Sequence, residues 1–99
     1  MSTIFKALSD PTRRKVLQLL QEQGPIGAGE LAEMFDVSKP TMSAHFAVLV
    51  SAGLIEAEKQ GRNVTYRLKL SVLEEALLAF ARTFGLQVTR PGKGHSEKL

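Results

Sequence analysis

The 99-residue chain has no cysteine, no apolar run long enough to span a bilayer, and no signal-peptide pattern at its N-terminus. Without cysteine it forms no disulfide bond and offers no thiolate to a metal, so histidine, aspartate and glutamate remain as ligands. It also lacks a phosphate-binding glycine loop, a nucleophile with a recognisable base, and paired carboxylates for acid–base chemistry. We therefore expect a cytoplasmic protein that is not an enzyme, binds no membrane and holds no cofactor.

The net charge is small but unevenly distributed along the chain. The total is +3, with −1 in residues 1–37, +3 in residues 38–70 and +1 in residues 71–99. A basic central segment indicates a polyanionic partner such as nucleic acid. Periodic patterns stop short of the C-terminus, where the residues become polar and aperiodic. We expect one domain over residues 1–87 and a disordered tail over residues 88–99.

The chain is organised around the stretch SKPTMSAHFAVL, which begins at Ser38. Ser38 suits a helix N-cap and Pro40 suits the first helical turn, so a helix is predicted to start here. Met42, Phe46 and Leu49 recur at i, i+4 and i+7 and form one apolar stripe. The opposite face carries small or polar side chains, which allow the helix backbone to approach the floor of a DNA groove closely. We interpret the stretch as a recognition helix whose candidate DNA contacts are Ser38, Lys39, Pro40, Thr41, Ser43, Ala44 and His45.

The expected role of each candidate residue on this helix follows from its side-chain chemistry, and for several residues an alternative role stays open. Thr41 and Ser43 are the first candidates for groove contacts, although their hydroxyls can instead bond water or their own helix backbone. Lys39 is expected to reach a phosphate, the alternative being a solvated lysine. Ala44 offers only a methyl group, which favours contact with thymine. His45 lies near the apolar side, so a packed, hydrogen-bonded histidine is preferred to a base contact.

Three further helices are predicted before the recognition helix. Asp10 is expected to N-cap the second, which Arg13 and Arg14 open; each arginine either reaches a phosphate or pairs with an acid of the chain. The linker GPIGAG separates the second helix from the third. A short turn then separates the third helix from the recognition helix, which is the helix-turn-helix arrangement. These helices are predicted over residues 3–8, 11–23 and 28–35.

A β-hairpin is predicted after the recognition helix ends at Ala52-Gly53. Apolar and polar residues alternate from Ile55 and again from Val64, and Gly61 lies in the turn between the two runs. A hairpin in this position is typical of a winged helix, whose tip lies on the DNA backbone or in the minor groove. The alternative is a hairpin that only covers the core. The candidate DNA contacts at the tip are Lys59, Gln60, Arg62 and Asn63.

The last predicted helix, capped by Ser71, has an apolar stripe wider than one small core can cover. A second surface must bury part of it, and most soluble oligomers are two-fold dimers. We therefore expect a homodimer joined through the first and last helices, in a mainly α fold with a β-hairpin, that is, a winged helix-turn-helix. The candidate interface residues are Ile4, Phe5, Leu8, Leu73, Leu77, Phe80 and Phe84.

Two separated stretches carry a family resemblance. ALSDPTRRKVLQLL and ELAEMFDVSKPTMSAHFAVLVSAGLIEAEKQGRNVTYRL occur in the order and spacing of the ArsR family of bacterial winged-helix repressors, which the chain resembles over residues 4–86. Within it, IFKALSDPTRRKVL and VSKPTMSAHFAVL resemble the metal-independent SdpR-like autorepressors. The resemblance implies a homodimer that binds a palindromic double-stranded DNA operator and represses transcription, including that of its own gene.

The chain departs from the metal-sensing members of that family. Such relatives bind metals through cysteines on the third helix or through aspartate and histidine on the last helix. Here ELAEMF contains no cysteine and LSVLEEALLAFARTF contains no histidine. Glu74 and Glu75 are adjacent and so point about 100° apart on a helix, which is poor geometry for a ligand pair. We expect no regulatory metal site.

Two function classes stay open at this point. The first is a sequence-specific DNA-binding repressor, which the small-residue recognition face and the basic hairpin favour. The second is a winged helix used as a protein–protein interaction module. The sequence also leaves open a repressor that is released by a small organic ligand bound in the dimer interface.

Overall fold

Five helices and three short strands build the part of the chain that the computed structural model describes, residues 2–88. The predicted tail over residues 88–99 falls outside this range except for Val88. Within the described range every helix is too short or too polar to cross a membrane. The elements in chain order are α1 (Ser2–Leu8), α2 (Pro11–Gln23), β1 (Ile26–Gly27), α3 (Ala28–Glu33), α4 (Lys39–Ser51), β2 (Ile55–Gln60), β3 (Asn63–Leu68) and α5 (Leu70–Thr83).

Side-chain caps begin α2 and α4 where the sequence predicts them. Oδ1 of Asp10 accepts hydrogen bonds from the backbone N–H groups of Thr12 at 2.7 Å and Arg13 at 3.2 Å. Oγ of Ser38 accepts from the backbone N–H of Thr41 at 3.4 Å. These bonds satisfy first-turn donors that have no partner within their helix, so both predicted helix starts are confirmed.

The start of α5 differs from the prediction. Ser71 does not cap it, because the helix begins at Leu70 with Lys69 in the N-cap position and no side-chain cap bond. The backbone N–H of Lys69 donates to the carbonyl of Leu54 at 2.8 Å directly after β3 ends. This bond fixes the chain direction at Lys69, so the helix starts ahead of the residue with the best capping side chain.

The linker GPIGAG contains a strand that the sequence analysis does not predict. Ile26 pairs with Tyr66 and Gly27 with Thr65, antiparallel, which gives a three-stranded sheet in the order β1-β3-β2. A strand of two residues is too short to produce an alternating pattern. Its one strong signal is Ile26, which is 4% exposed and joins the core.

The third helix is shorter than predicted. It ends at Glu33 rather than at residue 35, and Met34 takes the C-cap position. Leu31 is fully buried, as expected for a core residue, but Met34 is 40% exposed. Because the helix stops before Met34, that side chain no longer follows the helical face that points to the core.

The predicted hairpin is confirmed in extent and turn. β2 and β3 pair from Ile55 opposite Leu68 to Gln60 opposite Asn63. Gly61 has a φ of +62°, a left-handed conformation that glycine adopts without a Cβ clash. The alternation on β2 is weaker than expected, since Ile55 is buried but every later residue of the strand is exposed. Tyr66, opposite Ala57, still packs against the core, with its ring centroid 4.8 Å from that of Phe46. The hairpin therefore leaves the core beyond this pair and projects as a wing.

One core holds these elements together. The three residues of the predicted stripe on α4, Met42, Phe46 and Leu49, are at most 3% exposed. They pack with buried residues of every other helix except α5, whose Val72 and Leu73 pack against the cluster from outside. The face of α4 opposite this stripe is consequently turned away from the protein.

The cap at Asp10 gives a pH prediction. Burial raises the pKa of Asp10, but backbone hydrogen bonds from Arg13 and Thr12 and the charges of His45 and Arg13 outweigh it, so the net pKa lies below the usual 3.8. A lowered folded-state pKa contributes stability above the unfolded value, and this contribution is lost as pH falls through the folded pKa. In urea unfolding between pH 7 and pH 2, the wild type should lose more stability below about pH 4 than Asp10→Asn, which keeps the cap acceptor without the charge. Parallel pH profiles for the two proteins would contradict this assignment.

Candidate nucleic-acid interface

The outward face of α4 is small, polar and open to solvent. It lies opposite the buried stripe of Met42, Phe46 and Leu49. The sequence analysis predicts this division of the helix, and the structure places every expected outward residue in the exposed class. These exposed residues are Lys39, Pro40, Thr41, Ser43, Ala44 and Ala47.

The hydroxyl groups at the start of α4 are not equivalent. Oγ of Ser38 donates to Oγ1 of Thr41 at 2.9 Å, so the single hydroxyl proton of Ser38 is already used within the protein. Thr41 accepts that bond and keeps its own proton for an outside acceptor. The hydroxyl of Ser43 makes no hydrogen bond within residues 2–88. Thr41 and Ser43 can therefore donate to a base or phosphate, whereas Ser38 positions Thr41.

The tip of the wing carries cations without acidic partners. The candidate residues at the tip, Lys59, Gln60, Arg62 and Asn63, are all exposed. No ion pair formed within the described residues includes Lys59 or Arg62. Two positive charges at the end of a projecting hairpin suit contact with a phosphate backbone.

The cations at the base of the wing, by contrast, share one carboxylate and are partly neutralised. Nη2 of Arg67 lies 2.6 Å from Oε1 of Glu56 on the neighbouring strand, and Nζ of Lys69 lies 3.8 Å from the same oxygen. The hydrogen bond from Arg67, together with the charges of Lys69 and Arg67, lowers the pKa of Glu56 and outweighs the opposing effect of desolvation. The cations at the tip, Lys59 and Arg62, therefore differ from those at the base in having no salt bridge among residues 2–88.

A row of aromatic rings crosses from α1 to α5 on another surface. The ring centroids of Phe5 and Phe80 are 4.8 Å apart, and those of Phe80 and Phe84 are 5.1 Å apart. Leu77, Phe80 and Phe84 remain 45%, 43% and 63% exposed. The other predicted interface residues, Ile4, Leu8 and Leu73, are half-buried against the core. The exposed part of the predicted dimer surface is therefore mainly contributed by α5.

Comparison with known proteins identifies this arrangement. A family model described as a helix-turn-helix domain matches residues 8–58. The transcriptional repressor SdpR of Bacillus subtilis is 43% identical over 77 residues, which cover 78% of this chain and 84% of that protein. The chain belongs to the ArsR family.

Further relatives agree with this identification. The arsenical resistance operon repressor of Staphylococcus xylosus is 40% identical over 74 residues, 75% of this chain and 70% of that protein. The structure of an ArsR-like transcriptional regulator from Rhodococcus sp. RHA1 aligns with a TM-score of 0.74 and 31% identity, covering 84% of this chain and 77% of that one. The predicted winged helix-turn-helix fold and the resemblance to SdpR-like repressors are confirmed. The protein is a DNA-binding transcriptional repressor of the ArsR type.

In this ArsR-family repressor, Arg13 connects α2 to both α1 and α4. Its Nε donates to the carbonyl of Ala7 at 2.8 Å and its Nη2 to that of Lys6 at 3.0 Å. Its Nη1 lies 3.1 Å from Nδ1 of His45. A guanidinium only donates, so Nδ1 of His45 must accept and a neutral His45 carries its proton on Nε2. This contact favours the packed interpretation of His45.

The two arginines of α2 have a structural role that the sequence analysis missed. Nη1 of Arg14 donates to the carbonyl of Leu8 at 2.7 Å, next to the carbonyls held by Arg13. Neither arginine forms a salt bridge with an acid among residues 2–88, although the charge of Arg13 helps to lower the pKa of Asp10. They cap the open carbonyl end of α1, where cations also complement the helix dipole. The sequence places two adjacent arginines soon after a short helix, but it does not mark the carbonyls that they bind.

Residues 2–88 contain no group of three or more histidine, cysteine, aspartate or glutamate side chains arranged to hold a metal ion. Of the two histidines of the sequence, His45 is engaged with Arg13, and His95 falls outside the described residues.

Proposed function

We propose that this ArsR-family repressor binds a palindromic double-stranded operator as a homodimer and blocks transcription from it. The proposal rests on the exposed face of α4, which carries small or polar side chains. The wing that follows it has cations at its tip that form no salt bridge among the described residues. In this arrangement α4 enters the major groove and the wing follows the flanking backbone or minor groove. Since SdpR and the arsenical resistance repressors are named as repressors, the same outcome is proposed here.

The residues have distinct roles in this proposal. Thr41 and Ser43 donate to base edges, Ala44 contacts a thymine methyl group and Lys39 neutralises a phosphate. His45 serves mainly to position α4 through its contact with Arg13. The residues at the wing tip bind the DNA backbone and do not read the base sequence directly. The wing set consists of Lys59, Gln60, Arg62 and Asn63.

The exposed apolar surface of α5 supports the proposed dimer. Exposed Leu77, Phe80 and Phe84 form a contiguous patch with Phe5 of α1, and water contact with such a patch is unfavourable. A two-fold partner would cover the same patch on both copies. The two recognition helices then lie about 34 Å apart, one helical turn of DNA, which requires an operator with matching two-fold symmetry.

A mobility-shift assay tests this proposal with DNA from upstream of the protein's own gene. Specific retention should survive excess unrelated DNA and weaken as salt is raised, with a slope of about −0.9 per phosphate contact in a plot of log affinity against log salt. Absence of specific retention at physiological salt would contradict the proposal and favour a protein–protein interaction module.

Replacing Arg62 by alanine should weaken operator binding about fivefold to tenfold. The wing tip loses one unpaired cation, so the salt slope should also become shallower by about 1. Arg82→Ala is the matched control, because it removes the same charge from the exposed end of α5. Fluorescence anisotropy at several salt concentrations measures both quantities. Equal losses for the two variants would mean that only net charge matters and that the wing does not contact DNA.

We also propose that repression is not relieved by a transition metal. The proposal rests on the absence of cysteine from α3 and of histidine from α5, the positions that metal-sensing relatives use. Titration of Zn(II) into the protein, followed by calorimetry and operator binding, should leave the operator affinity unchanged. Stoichiometric tight binding of Zn(II) that lowers operator affinity would overturn this proposal.

A further inference from the structure

A cleft of about 290 Å³ lies between α1 and α4, beside the recognition face. Its lining residues are Thr3 and Lys6 of α1 and Ala47, Val48 and Ser51 of α4. Ala44, Ala47 and Ser51 are spaced by three and four residues, so they form one row along the exposed side of α4. The cleft therefore continues the outward face of α4 toward the C-terminal end of that helix.

The polar groups of this cleft are hydrogen-bond donors without partners in the protein. Lys6 is exposed, and no ion pair among residues 2–88 includes it. The hydroxyls of Thr3 and Ser51 make no hydrogen bond within the same range. No acidic side chain lines the cleft. One ammonium and two hydroxyls beside a DNA-facing helix are groups that bind phosphate oxygens.

The backbone of Lys6 is tied to α4 through Arg13. Nη2 of Arg13 donates to the Lys6 carbonyl at 3.0 Å, and Nη1 of the same guanidinium lies 3.1 Å from Nδ1 of His45 on α4. Oγ of Ser9 donates to the Lys6 carbonyl as well, at 2.6 Å. The point from which the Lys6 side chain extends is therefore fixed relative to the recognition helix.

Lys6 lies on the side of α1 that faces away from the proposed dimer surface. Successive residues of a helix turn by about 100°, which places Thr3 and Lys6 roughly opposite Phe5 and Leu8. Phe5 packs on Phe80 of α5, with ring centroids 4.8 Å apart, and both belong to the proposed interface. In the proposed dimer α1 thus lies between α4 and the partner, and the cleft opens on the side of α4 nearer the two-fold axis.

We propose that Lys6, assisted by the hydroxyls of Thr3 and Ser51, binds a backbone phosphate of the operator between the two half-sites. The inference rests on the proposed function, since it adds a contact to the same DNA-binding surface. A helix with its side chains is about 10–12 Å wide and fills a major groove about 12 Å wide, so groups beside its outward face meet the phosphates that border the groove. The wing binds the outer flank of each half-site, and Lys6 binds the inner flank.

Replacing Lys6 by glutamine should weaken operator binding about fivefold and make the salt slope shallower by about 1, because one phosphate contact is lost. Lys6→Arg keeps the charge and should bind within about twofold of the wild type. Lys15→Gln is the matched control, because it removes the same charge from an exposed position on the side of α2 away from Arg13. Fluorescence anisotropy at several salt concentrations measures these effects. Urea unfolding should show the same midpoint for Lys6→Gln and the wild type.

Phosphate-ethylation interference locates the contact on the operator. With the wild type, ethylation of phosphates between the half-sites should block binding. With Lys6→Gln this central interference should disappear while interference at the outer flanks remains, and Arg62→Ala should show the reverse. An unchanged interference pattern in Lys6→Gln would overturn the Lys6 contact alone, whatever the affinity of the variant. Absence of specific binding by the wild type would overturn the proposed function, and the Lys6 contact with it.

Discussion

Replacing Ala44 by glutamate should reduce operator binding by at least about 100-fold while leaving the free energy of unfolding nearly unchanged. Ala44 is exposed on the outward face of α4, so the substitution adds no buried charge. Glutamate is also a good helix former, and the helix itself should persist. In the proposed complex, however, the new carboxylate lies in a groove bordered by phosphates, and such like-charge contacts cost several kcal/mol. Anisotropy titration with the operator and urea unfolding measure the two effects separately.

Two further variants separate the causes of that loss. Ala44→Gln has nearly the same size without the charge and should retain more binding than Ala44→Glu. Gln23→Glu adds the same charge to an exposed position at the end of α2 and should leave binding within about twofold. If Ala44→Glu binds the operator like the wild type, α4 does not enter the groove by this face.

Replacing Phe84 by glutamate should convert the protein from a dimer into a monomer. Phe84 is 63% exposed and continues the ring row that begins at Phe5, so a partner would bury it at the proposed interface. A carboxylate placed there remains unpaired when the surface is covered, and burial of an unpaired charge strongly opposes association. Sedimentation equilibrium should give a mass of 10.8 kDa for the variant and twice that mass for the wild type. Operator affinity should also fall when the dimer is lost, because the two recognition helices are then no longer linked and each must bind its half-site independently.

Ser71→Glu is the matched control for this experiment. Ser71 is exposed near the start of the same helix, about half a turn around from Phe80, so its replacement should not disturb the dimer. A wild-type protein that sediments as a monomer would contradict the proposed assembly. A Phe84→Glu variant that remains dimeric would place the interface on another surface.

The outline of the DNA-binding half of this ArsR-family repressor could be predicted from local signals. Ser38 caps α4, and the spacing of Met42, Phe46 and Leu49 correctly predicts which side is buried. Gly61 marks the turn of the wing in the same way. These features depend on side chains and on residues close in sequence, so the sequence alone contains the necessary information.

The errors arise where distant parts of the chain decide the structure. β1 exists because Ile26 and Gly27 pair with a strand about forty residues later, and no local alternation predicts such a short element. Likewise, the backbone bond from Lys69 to Leu54 sets the start of α5 ahead of Ser71. Pairing partners of this kind are fixed by the assembled fold and not by local preference.

The roles of charged side chains were the hardest to predict. The sequence predicts a phosphate or an acid as the partner of Arg13 and Arg14, but in the structure both arginines bind the carbonyls at the end of α1. Backbone carbonyls carry no sequence signature, so their need for donors becomes apparent only when the helix ends are located. The link from Arg13 to His45 depends in addition on α4 packing beside α2.

The central claim is that two copies of the chain bind one two-fold operator through paired recognition helices. Hydroxyl-radical footprinting on the operator, combined with the sedimentation mass of the complex, tests it most directly. The account predicts two protomers per duplex and two equivalent protected regions about one helical turn apart, ~34 Å between recognition helices. A complex with one protomer per duplex, or a footprint without two-fold symmetry, would contradict it.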